Sequence, residues 1–220
     1  MDSNEHGHQT PSEHKVPFTE AEWDERYGTA SERMWSGNPN PVLVSEIADV
    51  TPGTALDVGC GEGADALWLA ARGWSVTGTD ISTVALKRAA KQGETQRLEV
   101  SWLQADLLKD PIPAGSYDLV TAHYMHLPSA ERHPLYARLA DAVRPGGLLL
   151  LVGHHPSDLH TSAHRPNLPD MFFTAEDLAA ELAPGSWEVL LTDARPRQTK
   201  DPDGHELTIR DTVLLARKTG

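Results

Sequence analysis

Residues 56–64, LDVGCGEGA, decide how the rest of the chain is read. An apolar run reaches Asp57 and then breaks into Gly59, Gly61 and Gly63 before a helical pattern begins. This is the pattern of a buried strand ending in a tight turn that bares backbone N–H groups at a helix N-terminus. Glycines there let the backbone approach a ligand whose space a side chain would otherwise take. Two fingerprints overlap on the turn. Gly59, Gly61 and Ala64 satisfy the dinucleotide pattern G-x-G-x-x-G/A, in which the helix N-terminus holds a pyrophosphate. Gly59, Gly61 and Gly63 equally satisfy D-x-G-x-G-x-G, in which a carboxylate precedes the glycines. Asp57 would repel a pyrophosphate but would attract an ammonium or sulfonium group in a partly dry cleft. A cationic nucleoside therefore fits better than NAD. Glycines also serve turns that bind nothing, so the strand ends that follow carry the decision.

Working outward, the strand and helix signals alternate as parallel βαβ units do. Strands are predicted over 54–58, 75–79 (ending at Asp80), 100–104, 117–122 and 148–153, with two more at 187–192 and 208–216. Helices are predicted over 64–72, from Ser82 to about residue 91, over 130–143, and over 175–182 behind Thr174 as N-cap. The turn Arg144-Pro145-Gly146-Gly147 separates the helix over 130–143 from the fifth strand. Before this core, Thr19 with Glu22 has capping-box spacing, and Trp23 and Tyr27 share one helix face. The Trp35 loop and a helix over 42–50 follow. The expected fold is α/β: a doubly wound, mostly parallel seven-stranded sheet closed by an antiparallel terminal hairpin. Residues 18–220 form one domain with N-terminal covering helices over 18–50, and residues 1–17 form a polar, disordered tail carrying His6, His8 and His14.

A net charge of -13 argues against nucleic acid and anionic membrane surfaces as partners, because both are bound through Lys and Arg. No run is long enough to cross a membrane and the N-terminus has no signal pattern, so the expected location is cytoplasmic. The single cysteine, Cys60, sits inside the glycine turn and reads as a small filler rather than a reactive thiol.

In doubly wound sheets ligands sit at the carboxyl ends of the strands, where this chain carries Asp57, Asp80, Asp106 and the His123–His126 segment. Asp80, 21 residues after Gly59, stands where a carboxylate accepts ribose hydroxyls. Asp106 can accept a purine amine between the apolar Ile81 and Leu107. The bland alternatives are a helix-dipole charge for Asp80 and a turn residue for Asp106.

With these residues in place, the chain resembles the class I S-adenosylmethionine-dependent methyltransferases over about residues 23–217. LDVGCGEGADALWLA is similar to their first motif, VTGTDIS to the second, LQADLL to the third and YDLVTAHYMHLP to the fourth, followed by LADAVRPGGLLLLVGHH. WDERY, MWSGNPNPVL and MFFTAEDLAAEL look most like the small-molecule group that includes tellurite and thiopurine methyltransferases. The resemblance implies S-adenosylmethionine as cofactor. Asp57 and Gly59 would face its methionine part, Gly61 and Gly63 would shape the turn, Asp80 would bind ribose and Asp106 adenine. Thr121 and His123 would border the transferred methyl, Trp35 and Tyr27 would cover the site, and Cys60, Ile81, Ala105 and Leu107 complete the expected cofactor set.

The expected acceptor is a small molecule. Soft anions need no base, whereas phenols and alcohols gain from one, and His123, His126 and His154 are the candidates, with His155 next. Each histidine could instead serve a backbone group or a helix end. Residues 154–173 hold four of the 11 histidines (His154, His155, His160 and His164). This stretch is read as a lid anchored by Met171, Phe172 and Phe173 rather than as a metal site. Trp23, Tyr124, Met125 and Phe172 are expected to wall the acceptor site. Two further readings stay open: a nicotinamide-dependent oxidoreductase, and a cofactor-binding regulatory protein without turnover.

Overall fold

A computed structural model describes residues 19–30, 33–163, 165 and 168–220; the predicted tail with its histidines and His164 lie outside the described residues. The strands are β1 (Thr54–Val58), β2 (Ser75–Asp80), β3 (Ser101–Gln104), β4 (Tyr117–His123), β5 (Val143–His154), β6 (Trp187–Lys200) and β7 (Glu206–Lys218). They form one seven-stranded sheet in the order β3-β2-β1-β4-β5-β7-β6. β1 to β5 pair in parallel, and β7 runs antiparallel between β5 and β6. The chain builds outward from β1 to β3 and then returns to place β4 on the other side of β1. The order reverses there, and the crevice outside the strand ends at that point is where such sheets bind ligands.

The helices are α1 (Glu20–Thr29), α2 (Pro41–Ile47), α3 (Ala64–Ala70), α4 (Thr83–Gln96), α5 (Ser129–Ala142) and α6 (Ala175–Glu181). Period-2 alternation in the strands sends their apolar side chains to both faces. On one face Val120, Leu149 and Leu151 pack with Leu135 and Leu139 of α5 and Leu178 of α6. On the other, Leu119, Leu150 and Val213 pack with Leu43 and Ile47 of α2 and Leu69 of α3. The sheet is thereby held rigid beneath its polar edge.

The departures from expectation have local causes. α2 begins at Pro41 behind an Asn40 cap and stops at Ile47, short of residue 50. α4 runs past residue 91, its expected end, and stops when Arg97 turns left-handed at φ 57°. The Arg144–Gly147 turn is an irregularity inside β5: Tyr117 pairs with Val143 and Leu119 with Leu148, so four residues bulge opposite Asp118. β6 extends to Lys200 rather than residue 192, pairing residue by residue with β7. As an edge strand it tolerates Pro196, whose missing N–H interrupts no ladder on its free side.

Candidate active site

The β1–α3 turn folds around Asp80. Cys60 N donates to Thr79 O at 2.9 Å, and Gly61 N donates to Asp80 Oδ2 at 2.8 Å. The other Asp80 oxygen accepts Ser82 N at 2.8 Å, and burial pushes its pKa up. Gly61 and Gly63 have φ of 53° and 83°. A Cβ on Gly61 would lie 2.9 Å from the Tyr27 hydroxyl, and one on Gly63 would lie 2.7 Å from Trp102. No other residue type fits both the angles and the space.

Beside the turn a cavity of about 1440 Å³ runs along the carboxyl ends of the strands. Pockets for a drug-sized ligand usually run roughly 300–1,000 Å³, and this one is larger. Of the predicted site residues, Trp35, Asp57, Gly59, Cys60, Gly61, Asp80, Ile81, Ala105, Asp106, Leu107, His123, His126 and His154 line it. Gly63 and Thr121 do not. Gly63 is the N-cap of α3, and the Thr121 hydroxyl donates to Asp57 Oδ1 at 2.9 Å from beneath. Both support the site from behind. The Asp106 carboxylate accepts Leu108 N at 3.1 Å and pairs with Lys109 at 2.6 Å, so it does build the turn while facing the cavity.

Asp57 is 2% exposed, and its Oδ2 has no hydrogen-bond partner among the described residues. Burial, then the charge of Asp65, push its pKa up. His123 Nδ1 lies 2.7 Å from Asp65 Oδ2 while its Nε2 is buried and unpartnered. Burial alone would lower the His123 pKa, but the bond to Asp65 and that carboxylate's charge leave it raised. Asp65, in the first turn of α3, was not singled out from sequence, although a carboxylate there is favoured by the helix dipole.

Trp35 and Tyr27, both expected over the site, are bonded to each other, and two groups that sequence reading passed over, Glu62 and Arg88, tie this segment down. Trp35 Nε1 donates to the Tyr27 hydroxyl at 3.0 Å. Glu62, wedged between glycines and 7% exposed, accepts Met34 N at 3.0 Å and pairs with Arg88 at 2.9 Å. Arg88 also donates to the carbonyls of Tyr27 and Ala30 at 2.7 and 2.8 Å.

At the far end of the cavity the imidazoles of His126 and His154 stack with centroids 4.5 Å apart. Burial pushes His126 down to about 4 and His154 to about 2, with neighbouring Arg165 adding to both. Tyr124 leaves β4 at φ 53°, a strained angle for an aromatic residue, and sits over His154 at 4.9 Å. Of the residues expected to wall the acceptor site, Trp23, Tyr124 and Met125 line this cavity. Phe172 is a correction: it is 8% exposed, absent from the lining, and packs behind His154. His155 is another, since its Nδ1 accepts Ser157 N at 3.2 Å and caps a 3-10 turn (Pro156–His160). Met171, Phe172 and Phe173 do anchor this segment in the core. Arg165 and Arg197 were missed, and both line the cavity. Among the described residues, the group with metal-ligand spacing is Asp201, Asp203 and His205 in the β6–β7 turn, away from the predicted histidines.

Residues 55–147 match the family described as "Methyltransferase domain". Over that stretch, about two fifths of the chain, it is similar to methyltransferases. The chain is 30% identical over 122 residues to an uncharacterized methyltransferase of Mycobacterium tuberculosis (strain ATCC 25618 / H37Rv), covering 55% of this chain and 61% of that one. It thus spans about three fifths of that relative's length. A solved structure titled "Conversion of a Disulfide Bond into a Thioacetal Group during Echinomycin Biosynthesis" superposes with a TM-score of 0.74 at 22% identity, covering 92% of each chain. TehB from Haemophilus influenzae follows with a TM-score of 0.68 at 21% identity, covering 91% of this chain and 67% of TehB. At those identities the likeness speaks for the fold.

Proposed function

We propose that the protein transfers a methyl group from S-adenosylmethionine to a small-molecule acceptor. The observation that carries this is Asp57 Oδ2, a buried carboxylate oxygen with no hydrogen-bond partner among the described residues, beside a glycine turn and a cavity of about 1440 Å³. An unpaired buried acceptor is costly unless a cationic ligand group satisfies it. Asp57 and the Gly59–Gly61 backbone would hold the methionine end, Asp80 the ribose, and Ile81, Asp106 and Leu107 the adenine.

Bound there, the cofactor supplies an electrophilic methyl group on a sulfonium whose sulfur leaves neutral. The protein's share is to align the partners and keep water out. The Trp35–Tyr27 pair closes one side, and the rigid strand ends fix the other. For a protonated acceptor, His123 Nε2 is the proton-accepting atom. Its ring is oriented by Asp65, and its raised pKa makes it the strongest base of the three histidines. His126 and His154 stay neutral at pH 7 and act as hydrogen-bonding groups.

Calorimetry tests the cofactor half: micromolar binding of S-adenosylmethionine or its demethylated product, weakened roughly 10-fold or more in Asp80→Asn by loss of charged hydrogen bonds. A folded protein that binds neither compound refutes the reading. Turnover against thiols, phenols, amines and metalloid oxyanions, read by release of the demethylated product, tests the acceptor half. Cofactor binding without turnover of any of them would favour a regulatory binding protein.

A further inference from the structure

One end of this cavity is cationic in an otherwise acidic chain. Arg26 of α1, Arg165 of the segment after β5 and Arg197 of β6 all line it. Arg197 holds Asp211 through Nε–Oδ2 at 2.8 Å and Nη2–Oδ1 at 3.1 Å, and Arg165 Nη2 holds Asp158 at 3.1 Å. Asp211 and Asp158 are 4% and 1% exposed, and neither reaches the cavity. Each carboxylate takes the Nε–Nη2 edge of its guanidinium, Tyr124 also contacts Arg197, and both arginines line the cavity. Between the arginines stand the stacked imidazoles of His126 and His154. Their Nε2 and Nδ1 atoms are buried and have no hydrogen-bond partner among the described residues. The acidic groups of the cavity lie elsewhere: Asp57, Glu62, Asp65, Asp80 and Asp106 belong to the glycine-turn region, and Glu22 and Glu25 share α1 with Arg26.

A guanidinium has five N–H donors, more than one carboxylate uses, and an anionic oxygen group is the partner that suits two such cations in a partly dry cavity. Neutral imidazoles add donors without adding charge. We propose that the acceptor carries an anionic oxygen group, a carboxylate or a phosphate, that docks against Arg165, Arg197 and the His126–His154 stack. This group is an anchor, and a separate atom of the same molecule takes the methyl group. The proposal rests on the methyl-transfer reading, and it accounts for why the β6–β7 hairpin continues past the sheet to deliver Arg197.

The test is calorimetry on the full chain saturated with S-adenosylhomocysteine, using benzoate, phenylphosphonate and their neutral analogue benzamide. Benzoate or phenylphosphonate should bind at least ~10-fold tighter than benzamide, with affinity falling as salt rises. The stronger of the two anions identifies the group. Arg165→Gln and Arg197→Gln should each lose ~10-fold or more of the anion's affinity, and Arg197→Lys, which keeps a cation against Asp211, should retain part of it. Arg26→Gln, on an exposed helix face, should lose less. Cofactor affinity, measured on each variant, reports folding. Equal binding of benzamide and the anions by the native protein overturns the proposal, as does unchanged anion affinity in variants that still bind cofactor. Failure of the native protein to bind the cofactor sinks the methyl-transfer reading instead, and is scored separately.

Discussion

Asp57 carries the tension of the site in one side chain. Thr121 satisfies one oxygen, and the other has no hydrogen-bond partner among the described residues beyond the influence of the Ala66 N–H, while burial and the nearby Asp65 charge disfavour ionisation. The opposing influences are His123 and the Thr121 hydroxyl, and the net effect is a raised pKa. A cationic ligand group arriving beside it favours the charged form. Binding should therefore release a proton from the protonated fraction, and affinity should rise as pH rises through the elevated Asp57 pKa. Titrations in buffers of different ionisation enthalpy will show that release in the native protein. In Asp57→Asn binding should be weaker at neutral pH and its dependence on pH should flatten. A native affinity that does not change with pH would contradict this account.

At the scale of elements, the glycine turn does two jobs: its backbone shapes the cofactor cleft and Glu62 within it holds the N-terminal cover. Glu62 and Arg88 fasten the Tyr27–Trp35 stretch, and Asp24 caps α4 by accepting from the Ser82 hydroxyl at 2.5 Å and Val84 N at 3.1 Å. Glu62→Gln removes a charge whose bonds are each worth roughly 1.5–3 kcal/mol. Thermal melts should fall by about 5 °C for a chain of this size. Cofactor affinity should fall by roughly 10-fold because the cover that carries Trp35 is no longer pinned. An unchanged affinity would mean that the cover does not touch the bound cofactor. Much of this arrangement was legible beforehand. The capping box at Thr19, the Thr174 cap and the strand ends at Asp57 and Asp80 are local patterns, and local patterns survive folding. The polar half of β6 was not legible, because Arg195, Arg197 and Gln198 read as loop until the register with β7 pairs them with Asp211, Ile209 and Thr208. Arg197 could not be seen as a site residue for the same reason, since its partner is fixed by that register. Thr121 and Gly63 were legible as belonging to the site, but not which side of the cavity wall they occupy.

At the scale of the whole molecule, buried titratable groups pull stability in opposite directions as pH changes. Asp57 and Asp80 have raised pKa values, so the folded state takes up protons more readily than the unfolded chain and gains stability as pH falls through those values. His126 and His154 work the other way. Burial, Arg165 and Arg26 depress His126 to about 4, and burial, His126, Arg165 and Arg197 depress His154 to about 2, against an ordinary value of about 6.5. A depressed base contributes stability that is present above its unfolded pKa and is lost as pH falls below it. Subtracting the curve of His126→Gln from that of the native protein isolates this contribution from the carboxylates. Urea unfolding at pH 8, 6, 5 and 4 should show the difference between the two proteins shifting against the native one below about pH 6.5. The shift should level off near pH 4 after a change on the order of 2 kcal/mol. A difference that is the same at every pH would show that His126 titrates alike in the folded and unfolded chain. The imidazole stack could then not be the desolvated, neutral surface on which the acceptor end depends.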